Sequence, residues 1–578
     1  MLPLLACAHL ALTAWALSER AGLGPSMCQL PNGSLASCSP SNQRCVDPPV
    51  SGPAYHLTPL CHETGGGNDP CAPIYDPLNQ VYHMFFQDHL AATSPSTVDG
   101  GGGPIWGHWA SRNLVKWSRL PVALWNGLDG SVEPFKITPY DNQAVFTGSG
   151  TLVNGTIKLV FPGLCNANAT GSDVCAPTTG HGHQCHLGVA TPTDTKGDIL
   201  AHNWTKASFN PFAVNTGRDP SSAWQTRSGE WQFTTYLGDL FGTMDWASFY
   251  QVSPHAFGWG GECPSFFALP RMTPGSVPTP HNYTHVYKHS SGNRDWMILG
   301  NYDSPTEPRQ IGSWTALREP QMMDSGGLYA SKDFSDAKGR RITTGFGHCP
   351  GSAGGLVLLR EVTFNAELDQ LVFTPLPELA LLRQVPPLVN MSATRLQPEK
   401  VLSITSNDEY VEAIVEFEVP SVPVSFGVSV GGLSFFVNYT AKTASAPFHE
   451  VAIGMRIQGG KPTEHEAQQR WWASQRGRRQ VPLEPENVAG LGRPPSTSPP
   501  SLRLSSHDAH ISIRVFIDDD FVEAYFQDGR QVITWGQDSQ SEPVDKAGIA
   551  AFANGAAIQV MSARAFAMDP IWIAESEL

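Results

Sequence analysis

Residues 411–419 read Val-Glu-Ala-Ile-Val-Glu-Phe-Glu-Val. Val411, Ala413, Val415, Phe417 and Val419 take every second position, with Glu412, Glu416 and Glu418 between them. Side chains along an extended chain alternate faces, so the stretch predicts a strand with one face buried and one wet. Ile511, Ile513, Val515 and Ile517 repeat the pattern, and Asp528-Gly529 marks a hairpin-type turn before residues 531–534. Two sheets that bury such faces against each other make a β-sandwich.

Upstream of this region the chain also reads as strands between turns. Residues 81–87 (VYHMFFQ), 156–161, 230–237 (EWQFTTYL) and 295–302 (DWMILGNY) are examples. About five groups of roughly 60–70 residues fit before residue 385, and radial recurrence of sheets protects their edges, as in a propeller. The 55 Gly and 48 Pro of 578 residues exceed the average share of roughly 12%. That excess asks for many turns and excludes a helical bundle. The Pro-rich stretch at Pro386-Pro387 separates the two regions.

The compartment follows from the first residues and the cysteines. Residues 2–17 form a short apolar run ending in Ala14-Trp15-Ala16, which predicts a signal peptide over 1–18 and a secreted or extracellular protein, cell wall or vacuole included. No later segment reaches the ~18 apolar residues of a membrane span, so no membrane partner is expected. A formal charge of -15 repels polyanions, so no nucleic acid is expected either. Without Cys7, ten cysteines remain, all before residue 350, and predict disulfides of undetermined pairing. Seven Asn-x-Ser/Thr sequons, at Asn32, Asn154, Asn168, Asn203, Asn282, Asn390 and Asn438, agree with export. The resulting division is a signal peptide (1–18), a Cys/Pro-rich extension (19–53), a propeller (54–385) and a sandwich (390–578). The sandwich carries a flexible insertion at about 459–506, where Arg476-Gly477-Arg478-Arg479 reads as a protease site or as a solvated loop.

Three acids stand beside prolines: Asp69 in Gly-Asn-Asp-Pro, Asp219 in Gly-Arg-Asp-Pro and Glu262 in Gly-Glu-Cys-Pro. Proline pushes the residue before it toward extended geometry, which would orient an acid at a strand start. Around them runs an ordered series: His56-Leu57-Thr58-Pro59, Asn68-Asp69-Pro70, residues 82–87, Trp106-Gly107-His108-Trp109 and residues 111–117. Then come Leu120-Pro121, residues 146–150, Arg218-Asp219-Pro220, Glu262-Cys263-Pro264, Tyr329-Ala330-Ser331-Lys332, residues 339–342, Leu359-Arg360-Glu361, residues 515–518 and residues 522–525. The series resembles the family 32 glycoside hydrolases, the invertase, inulinase and fructosyltransferase group, over most of residues 54–570.

The resemblance implies an all-β chain, a five-bladed β-propeller followed by a β-sandwich. It also implies cleavage of terminal β-D-fructofuranosyl residues from sucrose or short fructans with retention. Retention needs two carboxyl groups close together, one as nucleophile and one as acid and then base. By the resemblance Asp69 is the nucleophile, Glu262 the acid/base and Asp219 the transition-state stabiliser. Arg218 orients them, and Asn68, Gln87, Trp106, Phe146 and Thr147 line the fructose subsite. The implied partner is a small neutral carbohydrate, with no cofactor and no metal; oligomeric state stays open. A fructosyltransferase and an inactive carbohydrate-binding relative are the alternatives.

The chain departs from the family pattern at Gly66-Gly67, Cys71-Ala72 and Gly261, and lacks a tryptophan between Gln87 and Trp106. Loss of bulky groups there predicts a wider pocket mouth. Cys175, His181, His183, Cys185 and His186 crowd one stretch, but their spacing is not that of a zinc site, and a surface insertion with disulfide-bonded cysteines is expected. Gly100–Gly103 lacks the Lys-Ser/Thr of a phosphate loop. Cys263 has no histidine partner in the sequence and reads as a packing residue.

Overall fold

The computed structural model describes residues 27–29, 35–37, 53–59, 67–88, 104–130, 136–165, 184–214, 216–236, 238–256, 260–347, 354–405, 409–442, 448–457, 500–519, 521–536 and 548–578. The signal segment, Gly100–Gly103, Cys175, His181, His183, the sequons at Asn32 and Asn168, and Arg476–Arg479 lie outside these residues.

Five antiparallel sheets succeed one another between residues 67 and 375, each built from one continuous section of chain. The first runs from Gly67–Pro70 and Ile74–Asp76 through Val81–Asp88 and Ile105–Ser111 to Ser118–Leu124. The later blades begin at Ala144–Val145, Trp224–Gln225, Glu262–Ala268 and Leu328–Ser335. Each blade packs on both sides, which explains why Val81–Asp88 is buried at every position and shows no alternation. Apolar layers fill the gaps: Phe85 with Phe161, Val160 with Phe233, and Leu240 with Phe266. Of residues 230–236, Trp231–Thr234 form a strand, shorter than the pattern predicts.

The remainder forms two sheets, one of seven strands and one of six. Tyr410–Glu418 pairs with His510–Asp518, placing Val411, Ala413, Val415 and Phe417 on the same inner face as Ile511, Ile513, Val515 and Ile517. These eight side chains are at most 1% exposed. Phe521–Phe526 and Gln531–Gly536 form the expected hairpin, with Gln527, Asp528 and Gly529 all at positive φ. Glycine is needed at 529, because a Cβ there would lie 2.1 Å from the Phe373 carbonyl oxygen.

Two expectations need correction. The outer face of the 410–418 strand is not uniformly wet: Glu412 is fully buried. Arg383, after the last blade, and Arg514 pair with it at 2.5 and 2.6 Å. The insertion also ends earlier than the sequence suggests, because Ser501–Leu504 is an edge strand paired to His449–Ile457. Its alternating Leu502 and Leu504 enter the core, a signal hidden by the Pro/Ser-rich tract before it.

Propeller and sandwich meet through buried charge. His56 contacts Asp518 at 2.6 Å and Glu523 at 2.9 Å, while Arg360 of the fifth blade contacts Asp324 at 2.8 Å and Glu523 at 2.6 Å. All these side chains are at most 1% exposed. The buried charges are thus paired and hydrogen-bonded, the condition under which burial is tolerated.

Candidate active site

The three acids converge where the innermost strands of blades one, three and four begin. Asp69 lies on Gly67–Pro70, Asp219 just ahead of Trp224–Gln225, and Glu262 at the start of Glu262–Ala268. Cys263 joins them: its backbone N–H donates to the Asp219 carboxylate at 3.2 Å and its thiol to Asp69 Oδ2 at 3.6 Å. The Arg218 guanidinium donates to Glu262, lies 3.7 Å from Asp219 and stacks 4.2 Å from the Tyr236 ring.

The local backbone is irregular wherever it carries one of these groups. Register shifts fall between Gly67 and Pro70, between Glu262 and Ser265, and between Tyr329 and Lys332. Bulges re-aim side chains at the cost of ladder hydrogen bonds, and they recur beside active sites. Asp219, Cys263 and Ala330 have φ of 58°, 49° and 54°. The extended geometry expected before Pro220 is therefore not adopted at Asp219. Asp tolerates the left-handed region, and the Cys263 N–H reaches its carboxylate there. Such conformations cost on the order of 1–3 kcal/mol each and persist only where surrounding structure imposes them.

The remaining sequence-predicted residues divide. Thr147 Oγ1 donates to Asp69 Oδ2 and accepts from the Gln87 side-chain amide, which also reaches Asp69 at 3.4 Å. Asn68 is half-buried on the Asp69 strand and its side chain makes no hydrogen bond among the described residues. Phe146 is half-buried beside Leu164 and Cys185. Trp106, in contrast, is completely buried and its indole N–H is committed to the Phe146 carbonyl at 2.9 Å. It supports the segment that bears Phe146 and Thr147 and presents no face to a ligand.

Three further residues belong to the site. Tyr329 donates its hydroxyl to Glu262 Oε2. Lys332 is buried beneath the acids and donates to the Pro220 carbonyl at 3.1 Å. Lys288 donates to the carbonyls of Cys263 and Ser331, at 3.0 and 2.7 Å. Tyr329 and Lys332 stand in the quoted Tyr-Ala-Ser-Lys series; Lys288 has no sequence signal of its own.

Burial pushes the Asp69 carboxyl up to about 7, aided by Asp219 and Glu262 and opposed by the Thr147 hydrogen bond. Burial also raises Asp219, with Arg218 and Lys332 opposing. Burial lowers Lys332 despite its acidic and thiol neighbours.

The expected widening fails at Gly261. A Cβ there would sit 2.7 Å from the His289 ring, so an imidazole occupies the space a larger residue would need. At Gly67 a Cβ would meet Pro59 at 2.9 Å. Cys71, Cys185 and Cys263 are buried free thiols, against the expected disulfide at Cys185, while Cys165 is disulfide-bonded. His186 Nε2 lies 3.2 Å from the Cys165 sulfur. Among the described residues no cluster of three metal-ligating side chains occurs.

The family model "Glycosyl hydrolases family 32 N-terminal domain" matches residues 56–375. An insoluble-isoenzyme β-fructofuranosidase of Arabidopsis thaliana is 28% identical over 55% of this chain and 58% of its own length. A fructan 1-exohydrolase of Hordeum vulgare is 27% identical over 64% of this chain and 61% of its own. The chain thus spans about three-fifths of the length of these relatives. Among solved structures, fructan 1-exohydrolase IIa of Cichorium intybus superposes with a TM-score of 0.66 at 19% identity, covering 90% of this chain and 97% of the other. A single-substitution variant of that enzyme in complex with 1-kestose gives 0.65 at 19% identity.

Proposed function

The chain belongs to family 32 of the glycosyl hydrolases, and from that membership we propose that it is an exported retaining glycosidase. In this reading it releases terminal β-D-fructofuranosyl groups from sucrose or short fructans. The observation that carries the reading is the convergence of Asp69, Asp219 and Glu262 around Cys263, with Arg218 and Tyr329 both bonded to Glu262.

The chemistry follows from those contacts. Glu262 gives its proton to the glycosidic oxygen while the Asp69 carboxylate attacks C2 of the fructosyl unit. The C2–O bond to the leaving sugar breaks and an ester to Asp69 forms. Glu262, now a carboxylate, takes a proton from water, whose oxygen attacks C2 and frees Asp69. Arg218 and Tyr329 hold the Glu262 oxygens in place through both steps. Asp219 accepts hydrogen bonds from fructose hydroxyls and stabilises the positive charge that develops at the ring. Asn68 and Gln87 offer amides to the same sugar, and Phe146 covers an apolar face. Arg218 offsets part of the negative charge gathered there, so a neutral substrate enters without a counterion.

Purified protein incubated with sucrose is expected to yield equal glucose and fructose. Asp69→Asn, Asp219→Asn and Glu262→Gln are each expected to abolish or nearly abolish release. Excess glucose with a trisaccharide product would instead assign the chain to fructosyl transfer. No release from sucrose, inulin, levan or raffinose would end the hydrolase reading.

A further inference from the structure

A cavity that none of the three acids lines sits further along the inner strands of the propeller. It measures about 310 Å³ and is lined by blades three, four and five, Trp224, Trp231, Phe267, Asp333 and Arg341 among its walls. The acids stand at the upstream ends of the innermost strands. Phe266 and Phe267 lie four and five residues beyond Glu262, and Trp224 five beyond Asp219. The buried ammonium groups of Lys288 and Lys332 sit beside the acids, bonded to the carbonyls of Cys263, Ser331 and Pro220.

The cavity carries polar groups with unused capacity. Asp333 is 7% exposed and one of its oxygens accepts from Arg341 Nη1 at 2.8 Å. Its other oxygen takes no hydrogen bond among the described residues, nor do Nε and Nη2 of Arg341. The guanidinium lies over the Phe267 ring, 4.6 Å from its centroid. Trp231 is half-buried with its indole N–H unpartnered among the described residues, and half-buried Trp224 is braced against Phe266 at 4.8 Å. An acceptor and donors on a self-neutralised ion pair favour a ligand with hydroxyls and no net charge. The Trp224 and Trp231 rings stand on opposite faces of the blade-three sheet, so one indole supplies the apolar face such a ligand needs. A volume at the small end of the ~300–1,000 Å³ range of ligand pockets limits its size.

We infer that this cavity is a second, non-catalytic carbohydrate-binding site that takes one or two sugar units. The inference stands on the cavity alone and does not require the chain to be a hydrolase.

The test uses the full chain carrying Asp69→Asn, to prevent turnover, titrated calorimetrically with glucose, fructose and sucrose. A saturable site weakened at least tenfold by Trp231→Phe or Asp333→Asn, and unaffected by Asp219→Asn, is the expected result. With Asp69 restored, the same two variants should keep the parent kcat/KM on sucrose, which separates failure of this proposal from failure of the hydrolase reading. Near-UV circular dichroism confirms that they fold. Sugar binding that Trp231→Phe and Asp333→Asn leave unchanged, or no binding apart from the Asp219-dependent site, would overturn the inference.

Discussion

The catalytic end of the propeller and the core of the sandwich are both β-structure, yet they are built to opposite standards. In the sandwich, His510–Asp518 pairs nine consecutive residues with Tyr410–Glu418 without a shift, and the inner face is purely aliphatic and aromatic. At the propeller's catalytic end, the inner strands of blades one, four and five each carry a register shift, and three non-glycine residues sit at positive φ. Regular pairing with apolar alternation stabilises; broken pairing with buried, mutually repelling acids stores strain that only the surrounding blades make tolerable. The acids sit where the regularity is given up.

Substitutions at the two ends should therefore separate activity from stability, and four of them span the range. Asp69→Asn is expected to lower kcat on sucrose on the order of 10⁴-fold while leaving the melting temperature unchanged or higher, because it removes charge repulsion from Asp219 and Glu262. A large loss of stability instead would show the acid cluster to be structural.

Arg360→Met, at the junction of the two regions, leaves Asp324 buried without its cation and Glu523 with His56 alone. Thermal or chemical unfolding should report a loss of about 3–5 kcal/mol, with kcat of the folded fraction unchanged. The junction also has a pH signature. Burial opposes charge on Glu523, but Arg360 and His56 outweigh it and hold the carboxyl near 2, so its contribution is complete above 4.5 and lost as pH falls through about 2. Burial likewise opposes charge on His56, and Asp518 and Glu523 outweigh it, raising its pKa above 6.5. That contribution is complete below 6.5 and lost as pH rises through the raised value. Melting temperature should accordingly peak between pH 4.5 and 6.5 and flatten in Arg360→Met.

Thr147→Val removes a hydrogen bond that favours the charged form of Asp69. The acid limb of kcat/KM, expected above the ordinary carboxylate range because Asp69 and Asp219 are both raised, should move to still higher pH, with a rate loss of about tenfold at pH 5. The smallest effect is Ile513→Val in the sandwich core: about 1 kcal/mol of stability and no change in kcat or in the pH profile.

The sequence is most legible where one rule decides the structure. Alternation alone locates the 411–419 and 511–517 strands, since a strand with one buried face has no other way to be written. The acids are legible as an ordered set, and Thr147, Gln87 and Arg218 lie beside them. What sequence pattern does not convey is backbone that breaks its own rule. Proline after Asp219 argues for an extended residue, and the left-handed conformation found there is imposed by contacts from blade four. Glu412 reads as solvated because its partners Arg383 and Arg514 are distant in sequence. Trp106 reads as a sugar platform, yet the next blade covers its ring. Each miss is a long-range contact overriding a local preference.

If Asp69 and Glu262 act as nucleophile and acid/base, hydrolysis is a double displacement that retains configuration at C2. The anomeric form of the first fructose released from sucrose, followed by carbon-13 NMR faster than mutarotation, tests it directly. β-D-fructofuranose appearing first is the predicted result; α-D-fructofuranose appearing first would contradict it.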